Sequence, residues 1–230
     1  DGNHAIFSVP WEEQNFILTA DDPANPPVIN ITIDGNRGKD RAAIQIGSKE
    51  GNYNVGESTF NIVQTENRNF KISSTAPFYN LSYSHGGSNE LRISDIEDAD
   101  DRAPSNGSAV LPDDNSGTTP SPATFAMPLI ITNDLTITDG RIDANDLDVT
   151  VGNLFTISDG GEYDPGTNTT FFNGDSPIQN IRLNGASPLA GGGFNNVEFT
   201  TSGTAKTLGG DLTTMAILGN MTIGSGVTFN

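Results

Sequence analysis

Carboxylates are the reactive groups this chain holds in excess. It carries 29 Asp and Glu against 11 Lys and Arg, with 2 His and no Cys, for a formal net charge of −18. Disulfides and thiolate metal sites are therefore excluded. Such a surface repels nucleic acid and anionic membranes and offers oxygen ligands to divalent cations. The run Asp139-Gly140-Arg141-Ile142-Asp143-Ala144-Asn145-Asp146 imitates the second half of a calcium loop, with acid, Gly, Ile and a closing acid in order. The first half fails, because Leu135 and Ile137 occupy the positions of the first two ligands. Asp159 joins this set through a repeat of 20 residues that places it opposite Asp139 on a neighbouring strand, about 4.8 Å away. Like charges stacked at that spacing are unfavourable unless screened or bridged. Asp139, Asp143, Asp146 and Asp159 are thus the candidate calcium ligands; the bland reading is a solvated acidic coat.

Nucleophilic and acid–base chemistry find little support. His4 and His85 are the only histidines, and no Gly-x-Ser-x-Gly elbow accompanies them. Ser84-His85-Gly86-Gly87 reads as a turn, which places His85 on the surface. Parallel β-helices host polysaccharide lyases that combine an acidic cation site with a basic residue, but Arg92, Arg102, Arg141, Arg182 and Lys206 are scattered and no motif singles out a base. No catalytic residue and no cofactor other than calcium is assigned.

The elements that position these groups are short strands ending in glycine turns. Thr136-Ile137-Thr138-Asp139-Gly140 returns as Thr156-Ile157-Ser158-Asp159-Gly160, and Thr222-Ile223-Gly224-Ser225-Gly226 and Thr32-Ile33-Asp34-Gly35 read as further copies. Each is a β-branched pair followed by a small or acidic residue and a Gly suited to positive φ. A recurrence near 20 residues marks an architecture whose units bury their apolar faces only by stacking on neighbours. The expected fold is all-β, a right-handed parallel β-helix. Asn153, Asn173, Asn196 and Asn220 at the corners suit left-handed backbone or stacked ladders. Phe78-Tyr79-Asn80-Leu81-Ser82-Tyr83 also matches Phe194-Asn195-Asn196-Val197-Glu198-Phe199 at an offset of 116, which reads as a larger repeat of several rungs.

Helical signals are nearly absent; Pro10 before Trp11-Glu12-Glu13 could open one turn, and Phe16-Ile17-Leu18 could equally be a strand. Residues 95–128 break the pattern with seven acidic residues and Pro104, Pro112, Pro120, Pro122 and Pro128. They read as an acidic loop inserted between rungs 1–94 and rungs 129–230, with an interdomain linker as the alternative. No apolar run reaches the length of a membrane helix. The chain opens on Asp1 and closes inside the strand-like Val227-Thr228-Phe229-Asn230, which reads as one piece of a longer protein.

Phe171-Phe172-Asn173-Gly174, Phe194-Asn195-Asn196-Val197, Gly203-Thr204-Ala205-Lys206-Thr207-Leu208, Asp211-Leu212-Thr213 and Gly219-Asn220-Met221-Thr222-Ile223 together resemble a repeat of very large secreted proteins of Bacteroidetes. Those proteins are surface adhesins and appendage components exported by the type IX route. The resemblance covers Phe78 to Asn230 apart from the acidic segment, and it carries no catalytic residue over. It implies an extracellular or cell-surface rod that presents binding loops, with polysaccharide or protein ligands and homo-oligomer or filament assembly. A polysaccharide-active β-helix enzyme and a carbohydrate-binding module are the alternatives. A groove joining Arg or Lys to carboxylates would favour the first, and a row of exposed aromatics the second.

Overall fold

The computed structural model describes residues 7–9, 16–18, 24–33, 41–46, 53–74, 76–93, 128–174, 178–183, 193–201, 205–209 and 215–229. Among these residues there is no helix, and every strand pair is parallel. Among the described residues no helix is long and apolar enough to cross a membrane.

The chain winds as a β-solenoid with three faces. The first face stacks β3 (Val28–Ile33), β6 (Thr59–Gln64), β8 (Asn80–His85), β11 (Leu135–Ile137), β14 (Phe155–Ile157), β17 (Ile178–Leu183), β19 (Ala205–Gly209) and β21 (Thr228–Phe229). The second stacks β1 (Phe7–Val9), β4 (Arg41–Ile46), β7 (Phe70–Ser74), β9 (Glu90–Ile93), β12 (Gly140–Asp143) and β15 (Gly161–Asp164). The third stacks β10 (Leu129–Ile131), β13 (Val149–Val151), β16 (Thr169–Phe172), β18 (Asn196–Phe199) and β20 (Met221–Ile223), while β2 (Phe16–Ile17) and β5 (Tyr53–Asn54) form a separate pair. Phe16-Ile17 is thus a strand; Pro10 to Glu13 and residues 94–127 lie outside the described residues.

Alternation explains why these strands stack as a coil. β8 alternates half-buried and buried residues, with Leu81, Tyr83 and His85 pointing inward, and β6 does the same with Phe60, Ile62 and Gln64. A parallel sheet covered on both sides would read as a continuous apolar run. Here each sheet has one wet face, so apolar residues are needed only at every second position. The core is the inside of the coil. Part of it is aromatic: the Phe155 ring lies 5.5 Å from Tyr163, 5.9 Å from Phe172 and 5.4 Å from Phe194. Edge-on and tilted contacts of this kind add to the area buried.

Register bears on the repeats. Leu135, Thr136 and Ile137 pair with Phe155, Thr156 and Ile157, so the 20-residue repeat is one turn of the coil. Thr32-Ile33 also lies on the first face, in β3, but the copy near residue 222 behaves differently. Thr222-Ile223 belongs to the third face, whereas Thr136-Ile137 belongs to the first. The 116-residue match is also one face out of step, because β8 lies on the first face and β18 on the third. These phrases encode a strand that ends in a glycine turn, which recurs at corners on more than one face of the coil. Thr136 and Thr156 therefore report a rung; Thr222 reports only a corner.

Two chains of side-chain bonds run along corners. Asn80 Oδ1 accepts from Asn133 Nδ2 at 2.8 Å and from Asp134 N at 3.2 Å. Asp134 Oδ1 in turn accepts from Asn153 Nδ2 at 2.8 Å and Leu154 N at 3.1 Å. Farther along, Asn196 Oδ1 accepts from Asn220 N at 2.9 Å. Of the corner asparagines anticipated above, Asn153, Asn196 and Asn220 thus stack; among the described residues, the non-glycine positive φ values belong to Asn145 and Asp146.

Stacking continues across residues 94–127. β8 pairs with β11 and β9 with β12 in register, and Phe78 bridges to Ile131. The strands on either side of that segment are therefore direct neighbours in two sheets.

Buried phenols set an alkaline limit. Burial pushes the Tyr163 pKa from 10.0 up to about 12, although hydrogen bonds with Thr170 and Asn168 work the other way. Burial, then the charges of Glu90 and Asp139, raise Tyr83 further. A phenol whose folded pKa is raised contributes stability that is whole below the unfolded value and is lost as pH climbs through the folded one. Unfolding midpoints in urea should hold steady to about pH 10 and then fall, with Tyr163 contributing about 2–3 kcal/mol of the loss. Comparison with Tyr163→Phe isolates this slope from that of Lys206, whose pKa burial lowers. An identical decline in both proteins would show that Tyr163 is not the source.

Candidate functional site

Charged groups gather on the outward surface of the second face. Arg141 lies opposite Glu90 on one side and Glu162 on the other, while Asp143 lies between Arg92 and Asp164. Arg92 Nε donates to Asp143 Oδ2 at 2.8 Å and its Nη2 to Glu90 Oε1 at 2.7 Å. Arg141 pairs with Asp164 and stands 3.7 Å from Glu90 Oε2. Asn69 extends the row, donating from Nδ2 to Glu90 Oε1 at 3.0 Å. Both arginine side chains are 37% exposed, so solvent screens each pair and its net contribution is about 1 kcal/mol or less. Burial alone would lower the Arg92 pKa, but the hydrogen bond and charge of Asp143 and the charge of Glu90 outweigh it and raise it. Arg141 is raised in the same way by Asp164 and Glu90. This cluster closes on itself and ties β9 to β12 across the acidic segment.

The four candidate calcium ligands are not brought together. Asp139 and Asp159 sit at the corner between the first and second faces, Asp143 ends β12, and Asp146 follows in the next corner. An extended strand of four residues separates the two corners by about 13 Å. Asp143 already accepts from Arg92 and, at 2.8 Å, from Asn145 N. Asp146, at φ 64°, accepts from Thr167 N at 2.7 Å and Thr167 Oγ1 at 3.0 Å, which fixes the loop of the next turn. Leu135 and Ile137, where a calcium loop would place its first ligands, are fully buried in the core. Among the described residues no group of three or more His, Asp or Glu could hold a metal ion.

Asp139 and Asp159 remain neighbours, though out of step. The offset between turns is 20 residues at β11 and β14 but 21 at β12 and β15, and Gly160 at φ 92° takes up the extra residue. A Cβ at Gly160 would lie 2.9 Å from Asp139 Oδ1, so Asp139 faces that glycine, and its Oδ1 accepts from Gly140 N at 2.8 Å. Asp159 is exposed. Melting temperatures in millimolar calcium and in sodium chloride of matched ionic strength should therefore coincide. Extra stabilisation by calcium, lost in Asp139→Asn with Asp159→Asn, would reveal a bridging cation instead.

At the same corner, one turn earlier, the structure departs from the sequence reading. His85 is 3% exposed, not a surface residue. It is the last inward residue of β8, after Leu81 and Tyr83, so the strand alternation runs one residue pair further than the glycines suggested. Its Nδ1 lies 2.8 Å from the Gln64 carbonyl oxygen. A carbonyl only accepts, so Nδ1 carries a proton and donates to it. Gln64 is pinned in turn: Oε1 accepts from Tyr83 OH at 3.1 Å and Nε2 donates to the Glu66 carbonyl at 3.1 Å. Val63, Asn67, Ser84, Gly86, Gly87 and Ser88 complete a recess of about 590 Å³ with Gln64, Thr65 and His85.

Two features anticipated for the alternative functions can be located. Among the side chains described no large aromatic is fully exposed; most line the core, whereas Tyr79 and Phe171 are half-buried. Lys206 is fully buried, with Nζ 3.4 Å from the Gly174 carbonyl oxygen. Comparison with known proteins gives no match to a family model, a curated protein or a solved structure.

Proposed function

We propose that this chain is a structural and adhesive segment of a secreted cell-surface or appendage protein, a stiff rod that presents binding loops. The observation that carries the reading is the eight-stranded parallel ladder of the first face, in register from β3 to β21. Strand after strand is cross-linked along the coil axis, so bending the rod strains many hydrogen bonds at once. The resemblance of residues 78–230, apart from the acidic segment, to repeats of Bacteroidetes surface proteins points the same way. The outward columns are mostly polar, although Val63 and Ile130 are exposed among them, and a charge of −18 keeps such rods apart in solution. Ligands in this reading are extracellular polysaccharides or proteins, met at the corner loops, and sister chains align laterally into oligomers or filaments.

Beads bearing the chain should resist detachment by flow from polysaccharide-coated or protein-coated glass. The comparison is with beads bearing a disordered polypeptide of equal negative charge. Equal detachment on every coating would remove the adhesive part of the proposal.

A further inference from the structure

Turn by turn, the outward surface of the second face forms two columns of polar side chains. One runs Asn69, Glu90, Arg141, Glu162, and the other Lys71, Arg92, Asp143, Asp164. Among the described strand residues, the outward positions of the first face carry one charge, Arg182, and those of the third face one, Glu198. The order of signs in the second column is not one the fold itself favours. Lys71 lies opposite Arg92 and Asp143 opposite Asp164, so like charges stack on adjacent strands about 4.8 Å apart. Within one chain that order is destabilising.

Reversed end to end, the column exchanges its signs. A second copy can lie face to face with the first, its coil axis antiparallel, about a two-fold axis running along the strands between β9 and β12. Lys71 then faces Asp164 of the second copy, and Arg92 faces its Asp143. In the other column Glu90 faces Arg141, and Asn69 faces Glu162. Every opposed pair joins unlike charges or an amide to a carboxylate. The parallel two-fold arrangement exchanges the two columns instead and sets Glu162 against Asp164, like against like. Arg92 and Arg141 stand outermost, with side chains 37% exposed against 13% for Asp143 and 12% for Glu90. In the antiparallel arrangement each guanidinium meets one of these partly covered carboxylates, so the arginines of the two copies interleave without facing each other.

We infer that the second face is a self-complementary interface through which two copies of this chain pack side by side and antiparallel. The inference rests on the proposed lateral alignment of sister chains and assigns to it a surface and a polarity. The matched patch covers about 250 Å² per copy, from four strands about 4.8 Å apart and about 13 Å of each strand. Lasting complexes bury about 800 Å² per partner, so single chains meet weakly and briefly. Salt at about 0.15 M screens the repulsion between chains of charge −18 beyond about 8 Å, while opposed side chains in contact lie inside that length.

Weak contacts are read by trapping them. Opposed sheets stand about 10 Å apart, so the thiols of directly facing cysteines lie within reach of a short bis-maleimide, and the chain has no cysteine of its own. Asn69→Cys chains mixed with Glu162→Cys chains should cross-link in about fivefold or greater yield than either variant alone. Lys71→Glu in both chains should abolish the excess, and Lys71→Glu with Asp164→Lys should restore it, which a folding defect would not. Salt at about 1 M should abolish it as well, with the face unaltered. A mixture that links no better than the single variants overturns the inference. Preferential linking of Glu162→Cys chains to one another, expected of parallel packing, overturns it too but leaves the lateral alignment of sister chains standing. An excess that survives both Lys71→Glu and high salt shows that charge matching is not its cause, and also overturns the inference.

Discussion

Gly174→Ala should fail to reach the native fold, or lose at least about 3 kcal/mol of stability, the upper end of overpacking costs. Gly174 stacks directly on Gly152, and Gly152 on Thr132, at the corner that follows the third face. A Cβ at Gly174 would overlap the Gly152 carbonyl group, and a Cβ at Gly152 would overlap that of Thr132. The obstacle is backbone already committed to inter-turn bonds, such as Gly152 N to the Ile131 carbonyl at 2.9 Å. No rotamer change relieves such a clash; the turns must separate. Gly86 provides the control. The nearest atom to a Cβ there is 4.0 Å away, so Gly86→Ala should change stability by about 0.5 kcal/mol or less. Urea unfolding followed by far-ultraviolet circular dichroism distinguishes the two. Equal stability of Gly174→Ala and wild type would mean that the corner is looser than its stacking implies.

Phe155→Ala should cost about 3–5 kcal/mol, the range for truncating a fully buried aromatic. Its ring is completely buried and touches Tyr163, Phe172 and Phe194, which come from three different faces or corners of the coil. In a quasi-one-dimensional stack each turn is held by its neighbours, so damage to a middle turn weakens the coupling between the two ends. The urea midpoint should fall and the transition should broaden as the two ends begin to unfold separately. Thr136→Ala, at an outward position of the first face, should leave both nearly unchanged. A single sharp transition with an unshifted midpoint in Phe155→Ala would contradict the packing described.

The coil was legible where successive strands repeat at 20 and 21 residues, as between β11 and β14 and between β12 and β15; elsewhere on the first face the turn ranges from 21 to 54 residues and carries no simple period. Thr136 and Thr156 carry the same neighbours and the same glycine, so the repeat gave the rung directly. Legibility failed where one local signal serves several places. Thr222-Ile223-Gly224 looks like Thr136-Ile137-Thr138 because both end a strand at a corner, although they lie on different faces. His85 was read as a surface turn because Gly86 and Gly87 follow it, yet Leu81, Tyr83 and His85 continue one inward row. That alternation was the signal available for the recess. The ion pair of Arg92 with Asp143 could not be read at all, since the partners are 51 residues apart and the acidic segment between them hides the register. The proposed calcium ligands shared a spacing in sequence, but β12 runs between them and carries Asp139 and Asp143 to opposite ends of a strand.

The central claim is that successive turns stack in register, including the two turns on either side of residues 94–127. The chain has no cysteine, so paired cysteines can test it cleanly. Ser82 and Thr136 are opposite one another on β8 and β11. Neighbouring strands lie about 4.8 Å apart, within disulfide reach, whereas Ser84 and Thr136 are offset along the strand to about 8 Å and lie beyond it. Mild oxidation of Ser82→Cys with Thr136→Cys should give a near-complete intramolecular disulfide, and Ser84→Cys with Thr136→Cys should give little. No cross-link in the first protein, or equal cross-linking in both, would contradict the stacked register on which the rod, the charge cluster and the recess all depend.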